Sequence, residues 1–374
     1  MDSKYTLLLY IAIIFISFFL SALSQRKTIY KGNLCYKTNR VLFVTSFLVS
    51  WFFFAFAGMS NDYEEYKHIY IVSNWGNFTS IWIEPGYALL NVVIKEFVTK
   101  PEYGLVLIKT LIISLVYKTI FDYRKILPVS LAVFSYLSSY YLDAFCMLRI
   151  HLAGALVLYA ISRFDLKNQV FESIVLLALA VSIHYSAFIL VFLVLSYIYC
   201  VKNNIFSFMN FIQISLALIA SIPFTKYLFN IIVNQTSILA KYGSKYAFIN
   251  TAGTGLVQFV LHSPFAFILH QSQKRINENN KIYVLGALMV PFSLYFMYLG
   301  YEIQVINRTF VYFMYLWVIA VPWFYKVRLE QKTTDAFLVY IFILIWLALK
   351  FIIYINNGSL VSSGIDRYIF LWER

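Results

Sequence analysis

The sequence has few charged residues and few cysteines, and each shortage excludes a class of protein. Lys, Arg, Asp and Glu make up 13% of the 374 residues, whereas a soluble domain usually has about 25%. The three cysteines, Cys35, Cys146 and Cys200, are far apart and form no CxxC or Cys/His group. Neither a disulfide framework nor a zinc site is indicated. A water-soluble fold and thiol redox chemistry are therefore excluded.

Hydrophobic residues replace the missing charges. They form 61% of the chain, aromatic residues alone form 20%, and the mean hydropathy is +0.74. Apolar runs long enough for a bilayer recur along the sequence. This pattern predicts an all-α, polytopic integral membrane protein, with residues 1–374 forming a single membrane-embedded domain. We expect about 12 transmembrane helices, at residues 5–24, 41–58, 104–120, 127–142, 150–163, 170–183, 186–200, 205–222, 254–270, 282–299, 308–325 and 335–354.

Basic residues are concentrated in alternate loops between the expected spans. Examples are Arg26, Arg124, Arg163, Lys202 and Lys326. Because short loops rich in Lys and Arg stay on the cytoplasmic side of a membrane, we expect the N- and C-termini on the outer, periplasmic side. The same bias accounts for the net charge of +13 without any binding of nucleic acid.

The stretch Glu84-Pro85-Gly86 begins an apolar run that is too short to cross a membrane. As a helix, residues 86–98 would span about 20 Å, against a hydrocarbon core of ~30 Å. Counting this run as a crossing would also move Arg124 and Arg163 to the outer side. We therefore predict a re-entrant or interfacial half-helix at 86–98, with Pro85 in its first turn and Glu84 at its positive end.

A long polar segment at about 225–253 contains Lys241 and Lys245 and no acidic residue. The orientation places this segment outside. Two interpretations stay open at this point: an amphipathic element lying on the lipid surface, or a lid that closes over a substrate.

The predicted orientation brings a group of ionisable residues to one membrane face: Asp62, Glu84, Arg149, His184 and Arg308. Ionisable groups at membrane depth are costly and usually mark a substrate or ion path. Simpler explanations exist for each residue. Asp62 can be a loop acid, Glu84 a helix-start charge, and His184 a turn residue. Arg149 can be an interfacial residue or the partner of Asp143, and Arg308 an interfacial anchor.

Four short motifs carry a resemblance to a known family: Asp62-Tyr63-x-x-Tyr66, Glu84-Pro85-Gly86-Tyr87 with Asn91, Arg149-x-x-x-Ala153, and His184-Tyr185-Ser186-Ala187. In this order they resemble the EpsG family of bacterial membrane proteins, which is grouped with the Wzy-type polymerases of O-antigen, capsule and exopolysaccharide. The resemblance covers residues 41–200. It implies a protein of the bacterial inner membrane that transfers a glycan from undecaprenyl pyrophosphate to a hydroxyl of the next lipid-linked repeat unit at the outer leaflet. No cofactor is implied, and a chain-length regulator can be a further partner.

This reaction suggests a role for each candidate residue. A leaving pyrophosphate needs cations, and Arg149 and Arg308 have the suitable planar fork. The acceptor hydroxyl needs a general base; Glu84 is preferred and His184 is second, while Asp62 can act as a base or orient sugar hydroxyls. Further contacts to the pyrophosphate or the glycan are expected from the following residues: Tyr63, Tyr66, Tyr87, Asn91, Lys241 and Lys245. No metal is expected, because no compact ligand spacing is present.

Three other functions are less consistent with the sequence than polymerisation. A lipid-linked oligosaccharide flippase or another transporter would have charges along a path through the bundle and internal repeats. We find no such repeat, and Lys109 lies deep in a span without a second charge nearby. A membrane acyltransferase would require more than His151 and His184. A purely structural scaffold gives no reason for the charged residues to share one face.

Overall fold

The computed structural model describes residues 3–30, 33–79, 83–203, 208–235, 281–302, 310–330, 335–356 and 358–374. Contacts divide the chain into two compact units, Met1–Phe188 with Val321–Arg374 and Ile189–Ala320. The described residues are almost entirely helical. The all-α prediction is therefore confirmed, with one hairpin as an exception, while the single membrane-embedded domain stays a prediction.

Most elements of the first unit lie in its N-terminal part. They are α1 (Ser3–Leu23), β1 (Gln25–Tyr30), β2 (Asn33–Thr38), α2 (Arg40–Ala55), α3 (Tyr63–Val72), α4 (Pro85–Lys95), α5 (Pro101–Asp122), α6 (Val129–Ser139), α7 (Leu148–Lys167) and α8 (Val170–Ile183). The helices of the second unit are α9 (Phe188–Asn203), α10 (Phe208–Gln235), α11 (Lys281–Glu302) and α12 (Phe310–Glu330). The first residue of α9 and the C-terminal part of α12 belong to the first unit. The first unit is completed by α13 (Ala336–Asn356) and α14 (Ser359–Ser362).

Several helices have the length and composition of membrane spans. Among the described residues, five long apolar segments qualify: Ser3–Leu23, Pro101–Asp122, Tyr185–Asn203, Lys281–Leu299 and Ala336–Asn356. Four shorter apolar helices accompany them: Arg40–Ala55, Val129–Ser139, Val170–Ile183 and Gln213–Thr225. The protein is thus a multi-pass helical membrane protein. The number of crossings stays a prediction, and the expected span at 254–270 lies outside the described residues.

A β-hairpin occupies a stretch that we expected to be a plain inner loop. β1 and β2 pair in antiparallel register from Gln25 opposite Thr38 to Tyr30 opposite Asn33. Two strands alone are marginally stable, and the side chain of Gln25 supplies additional hydrogen bonds. Its amide nitrogen donates to the carbonyls of Arg124 and Leu127 at 2.9 Å, which fixes the hairpin to the loop between α5 and α6.

Helix α3 was not predicted, although its sequence carries a helical signal. Tyr63, Tyr66, Ile69 and Tyr70 are buried and recur at the spacing of one helix face. Glu64 and Glu65 lie in the first turn, where the helix dipole favours acids. The helix was missed because charged and aromatic residues are mixed in this stretch, which lies between two longer apolar runs.

The short helix at the Glu-Pro-Gly stretch is confirmed. α4 has 11 residues, with Pro85 at its first position, and a helix of that length spans about 16 Å. Tyr87, Ala88 and Asn91 are buried, whereas Leu89 and Val93 are exposed. Its re-entrant or interfacial placement in the membrane stays a prediction.

Candidate functional site

Three chain segments bring Glu84, Arg149 and His184 together. Glu84 directly precedes α4, and its carbonyl accepts hydrogen bonds from the backbone N–H groups of Tyr87 and Ala88. Arg149 lies in the first turn of α7. His184 has an extended backbone between α8 and the 3-10 turn Tyr185–Ala187. Each side chain therefore comes from the start or the end of a helix.

Glu84 is the centre of this group because each of its carboxylate oxygens has a different partner. Arg149 Nη1 lies 2.5 Å from Oε2, and His184 Nδ1 lies 2.5 Å from Oε1. An ionised carboxylate only accepts hydrogen bonds, so Nδ1 of His184 carries the proton and donates it. The other ring nitrogen, Nε2, is then the one that can accept a proton. We call Glu84, Arg149 and His184 the ionic triad.

Glu84 remains ionised although it is 8% exposed. Burial raises the pKa of this carboxyl, but the hydrogen bond from His184 and the charge of Arg149 outweigh burial and lower the pKa to about 2. A carboxyl with this pKa is negatively charged at neutral pH. The triad therefore holds a fixed negative charge between two nitrogen donors.

Gly86 allows α4 to approach the end of α8 closely. A Cβ atom at this position would lie 2.7 Å from the backbone carbon of Ser182 and would also overlap the Ser182 hydroxyl. Backbone cannot move aside as a flexible side chain can. Because Glu84 is two residues before Gly86 and His184 is two residues after Ser182, this close approach sets the distance between the two triad members.

We expect Gly86→Ala to lower activity strongly without removing the protein from the membrane. The added methyl group would separate α4 from α8 and lengthen the Glu84–His184 contact, and a misplacement of about 1 Å can cost roughly 100-fold in rate. The initial rate per molecule of purified protein measures the effect. Gly76→Ala is the control, since among the described residues its Cβ would contact only the Asn74 side chain, at 3.4 Å. Equal activity of the two variants would contradict this interpretation.

Aromatic and amide side chains surround the triad. The Tyr66 hydroxyl hydrogen-bonds with Arg149, and the Tyr66 ring lies 6.1 Å from that of Tyr87. Asn91 Nδ2 donates to the carbonyl of Tyr87 at 2.9 Å. Tyr87 and Asn91 are 0% exposed. The side chains of Tyr66, Tyr87 and Asn91 therefore pack around the triad.

Asp62 and Tyr63 lie at the start of α3, about one helical turn before Tyr66. The Cys146 thiol hydrogen-bonds with both the backbone and the side chain of Asp62. Tyr63 is buried, and the Arg374 guanidinium lies 4.5 Å from its ring centre. No sequence pattern indicated Cys146 or Arg374 as neighbours of these residues.

Asp143 does not pair with Arg149, which was one of the two alternatives for that arginine. The Asp143 carboxyl contacts Tyr354 of α13, and burial raises its pKa to about 6. Arg149 pairs with Glu84 instead. Arg308, Lys241 and Lys245 lie outside the described residues, so their expected contacts stay predictions.

These observations define a class of protein: a multi-pass helical membrane protein with a buried ionic triad built on helix ends. The family model described as the EpsG family matches residues 40–370. The chain therefore belongs to the EpsG family, whose members are membrane proteins of polysaccharide biosynthesis. The match extends well beyond the residues 41–200 that carried the resemblance. No curated protein and no solved structure matches the chain.

Proposed function

We propose that the protein polymerises polysaccharide repeat units. It transfers a glycan from undecaprenyl pyrophosphate to a hydroxyl group of the next lipid-linked unit, at the outer leaflet of the bacterial inner membrane. The observation that carries this proposal is the ionic triad, because this reaction needs a cation for the leaving group and a base for the attacking hydroxyl. Family membership supports the same class of reaction.

Arg149 is the proposed cation for the leaving pyrophosphate. Its Nη1 is occupied by Glu84, whereas its Nε is buried and has no hydrogen-bond partner among the described residues. An unpaired buried donor is costly, and a phosphate oxygen would satisfy it. A guanidinium also stabilises the charge that develops as the glycosyl-phosphate bond breaks.

His184 is the proposed general base, with Glu84 as the residue that positions it. The sequence favoured Glu84 as the base, but a carboxyl with a pKa of about 2 accepts a proton poorly near neutral pH. In the proposed step, the acceptor oxygen bonds to the anomeric carbon and its proton moves to His184 Nε2. The glycosyl-phosphate bond breaks at the same carbon, and undecaprenyl pyrophosphate leaves with the bonding electrons.

The other candidate residues retain supporting roles in this proposal. Tyr66 orients Arg149 by its hydrogen bond, and Tyr87 and Asn91 pack against these groups. Asp62 and Tyr63 are proposed to contact sugar hydroxyls and rings. Arg308, Lys241 and Lys245 remain proposed contacts to pyrophosphate or glycan. The periplasmic orientation of the termini and a chain-length regulator as a partner are also proposals.

The purified protein should extend synthetic repeat units linked to undecaprenyl pyrophosphate. After reconstitution into lipid nanodiscs, the products would form a ladder of chain lengths. Free undecaprenyl pyrophosphate should appear in equal amount to the new glycosidic bonds. The matched control carries the same glycan on undecaprenyl monophosphate, a poorer leaving group. Absence of a ladder, together with movement of the lipid-linked unit across vesicle membranes, would instead identify a flippase.

A further inference from the structure

Residues 359–374 lie along the turn that leads into α3. We call residues 359–374 the strap and residues 56–62 the turn. The strap contains α14 and the 3-10 turn Leu371–Glu373. The turn joins α2 to Asp62, immediately before α3. The strap is therefore in a position to control where α3 begins.

Backbone hydrogen bonds fix the strap to both ends of the turn. Leu371 N–H donates to the Phe56 carbonyl at 2.9 Å, and Gly58 N–H donates to the Ile369 carbonyl at 2.9 Å. At the other end, Asn61 N–H donates to the Ser363 carbonyl at 2.9 Å. These bonds do not depend on the identity of the side chains, so they hold the turn in one register.

The turn between these anchoring points has an unfavourable conformation. Ser60 has a φ of 154°, which non-glycine residues rarely adopt. Its buried hydroxyl has no hydrogen-bond partner among the described residues. Gly364 of the strap, with a φ of 67°, packs so closely on Asn61 that a Cβ atom would lie 2.8 Å from the Asn61 nitrogen. A strained conformation of this kind persists only where surrounding contacts enforce it.

Arg374 connects the strap to the first turn of α3. Its Nη1 donates to the Gly58 carbonyl at 2.8 Å, and its Nη2 lies 2.7 Å from Glu64 Oε1. The guanidinium also lies over the Tyr63 ring. One side chain thus contacts both the turn and the first two residues of α3, Tyr63 and Glu64.

We propose that Arg374 and Gly364 are positioning residues for the candidate site. By fixing the turn, the strap sets the place of Asp62 and the rotation of α3. That rotation directs the Tyr66 hydroxyl toward Arg149 and Asp62 toward Cys146. This inference rests on the proposed function only where it predicts an effect on polymerisation.

Native Cys146 reports the position of Asp62 without any measurement of activity. In a Cys35→Ser, Cys200→Ser background, Cys146 is the remaining cysteine of the chain. It is partly buried and contacts Asp62. We expect Arg374→Ala to raise the rate of maleimide labelling of Cys146 about tenfold, as loss of a charge-assisted hydrogen bond would. Polymerisation by the same variant should fall, and Arg374→Lys should restore part of both properties.

Arg367→Ala is the matched control, because it removes an exposed arginine from the same strap. Equal labelling of Cys146 in Arg374→Ala and Arg367→Ala would overturn the inference. If Arg374→Ala is not recovered as a monodisperse protein, Gly364→Ala provides the second variant, with the same expected rise in labelling. If the wild-type protein shows no polymerisation while Arg374→Ala still raises the labelling of Cys146, that result would support the positioning role of the strap and refute the proposed function.

Discussion

Arg149→Ala should abolish the synthesis of long glycan chains while the protein remains in the membrane. The substitution removes the proposed cation for the leaving pyrophosphate, and the loss of one such group typically lowers turnover about 100- to 1,000-fold. It also leaves Glu84 buried, with His184 as its remaining side-chain partner among the described residues. Chain length is read from the surface polysaccharide of cells and from the ladder made by purified protein.

Two further variants separate a role in catalysis from a role in folding. Arg149→Lys keeps the charge but loses the planar fork, so we expect partial activity. Arg163→Ala removes an arginine from the other end of α7, where it pairs with the exposed Glu172 at 2.7 Å. Exposed pairs of this kind contribute about 0–1 kcal/mol to stability, and full activity is expected. Normal chain length in Arg149→Ala would exclude this residue as the pyrophosphate cation.

The amount of protein must be measured together with activity, because Arg149 belongs to a partly buried ion pair. Removing one member of a buried pair commonly costs about 3–5 kcal/mol of stability, since a charge is left without its partner. Thermal unfolding of the purified variant reveals such a loss. If Arg149→Ala is unstable, the activity of Arg149→Lys is compared with that of the wild type, because the two proteins should have similar stability.

Length and hydropathy predicted the long apolar helices from sequence, and the Glu-Pro-Gly stretch predicted α4, but the hairpin and α3 were not predicted. The runs at 5–24 and 170–183 correspond to α1 and α8 because a bilayer imposes length and apolar composition on any crossing helix. The hairpin depends on hydrogen bonds from Gln25 to residues about 100 positions away, which local propensity does not encode. α3 depends on burial of its tyrosine face, which is a property of the tertiary fold.

The residues of the candidate site could be predicted from the sequence, but the contacts between them could not. The distribution of basic loops suggested that Glu84, Arg149 and His184 share one face. The structure adds that both other residues converge on Glu84, from 65 and 100 positions away in sequence. One sequence without its relatives contains no information on such distant pairings. The same limit explains why Asp143 was considered as a partner of Arg149.

A comparison of His184→Ala with Glu84→Gln should identify the base. If His184 accepts the proton, its replacement removes the base entirely, and the rate should fall about 100- to 10,000-fold. Glu84→Gln leaves the imidazole in place but removes the charge that orients it, so a smaller loss is expected. The initial rate of glycosidic bond formation by purified protein measures both. His68→Ala, which removes an exposed histidine of α3, is the control and should retain full activity.

The dependence on pH gives an independent test of the role of Glu84. Its pKa is lowered from 4.5 to about 2 in the folded protein, so the stabilisation that its charge provides is fully present above about pH 4.5 and is lost as the pH falls toward 2. The difference in unfolding temperature between wild type and Glu84→Gln should therefore be constant from pH 6 to 8, the range in which activity is measured.

The pH dependence of the rate then separates the two possible bases. A base with the pKa of Glu84 would remain fully deprotonated throughout this range and would give a flat profile. A histidine base would give a rate that declines toward acidic pH. A flat wild-type profile together with near-normal activity of His184→Ala would return the role of base to Glu84 and leave His184 as its hydrogen-bond donor.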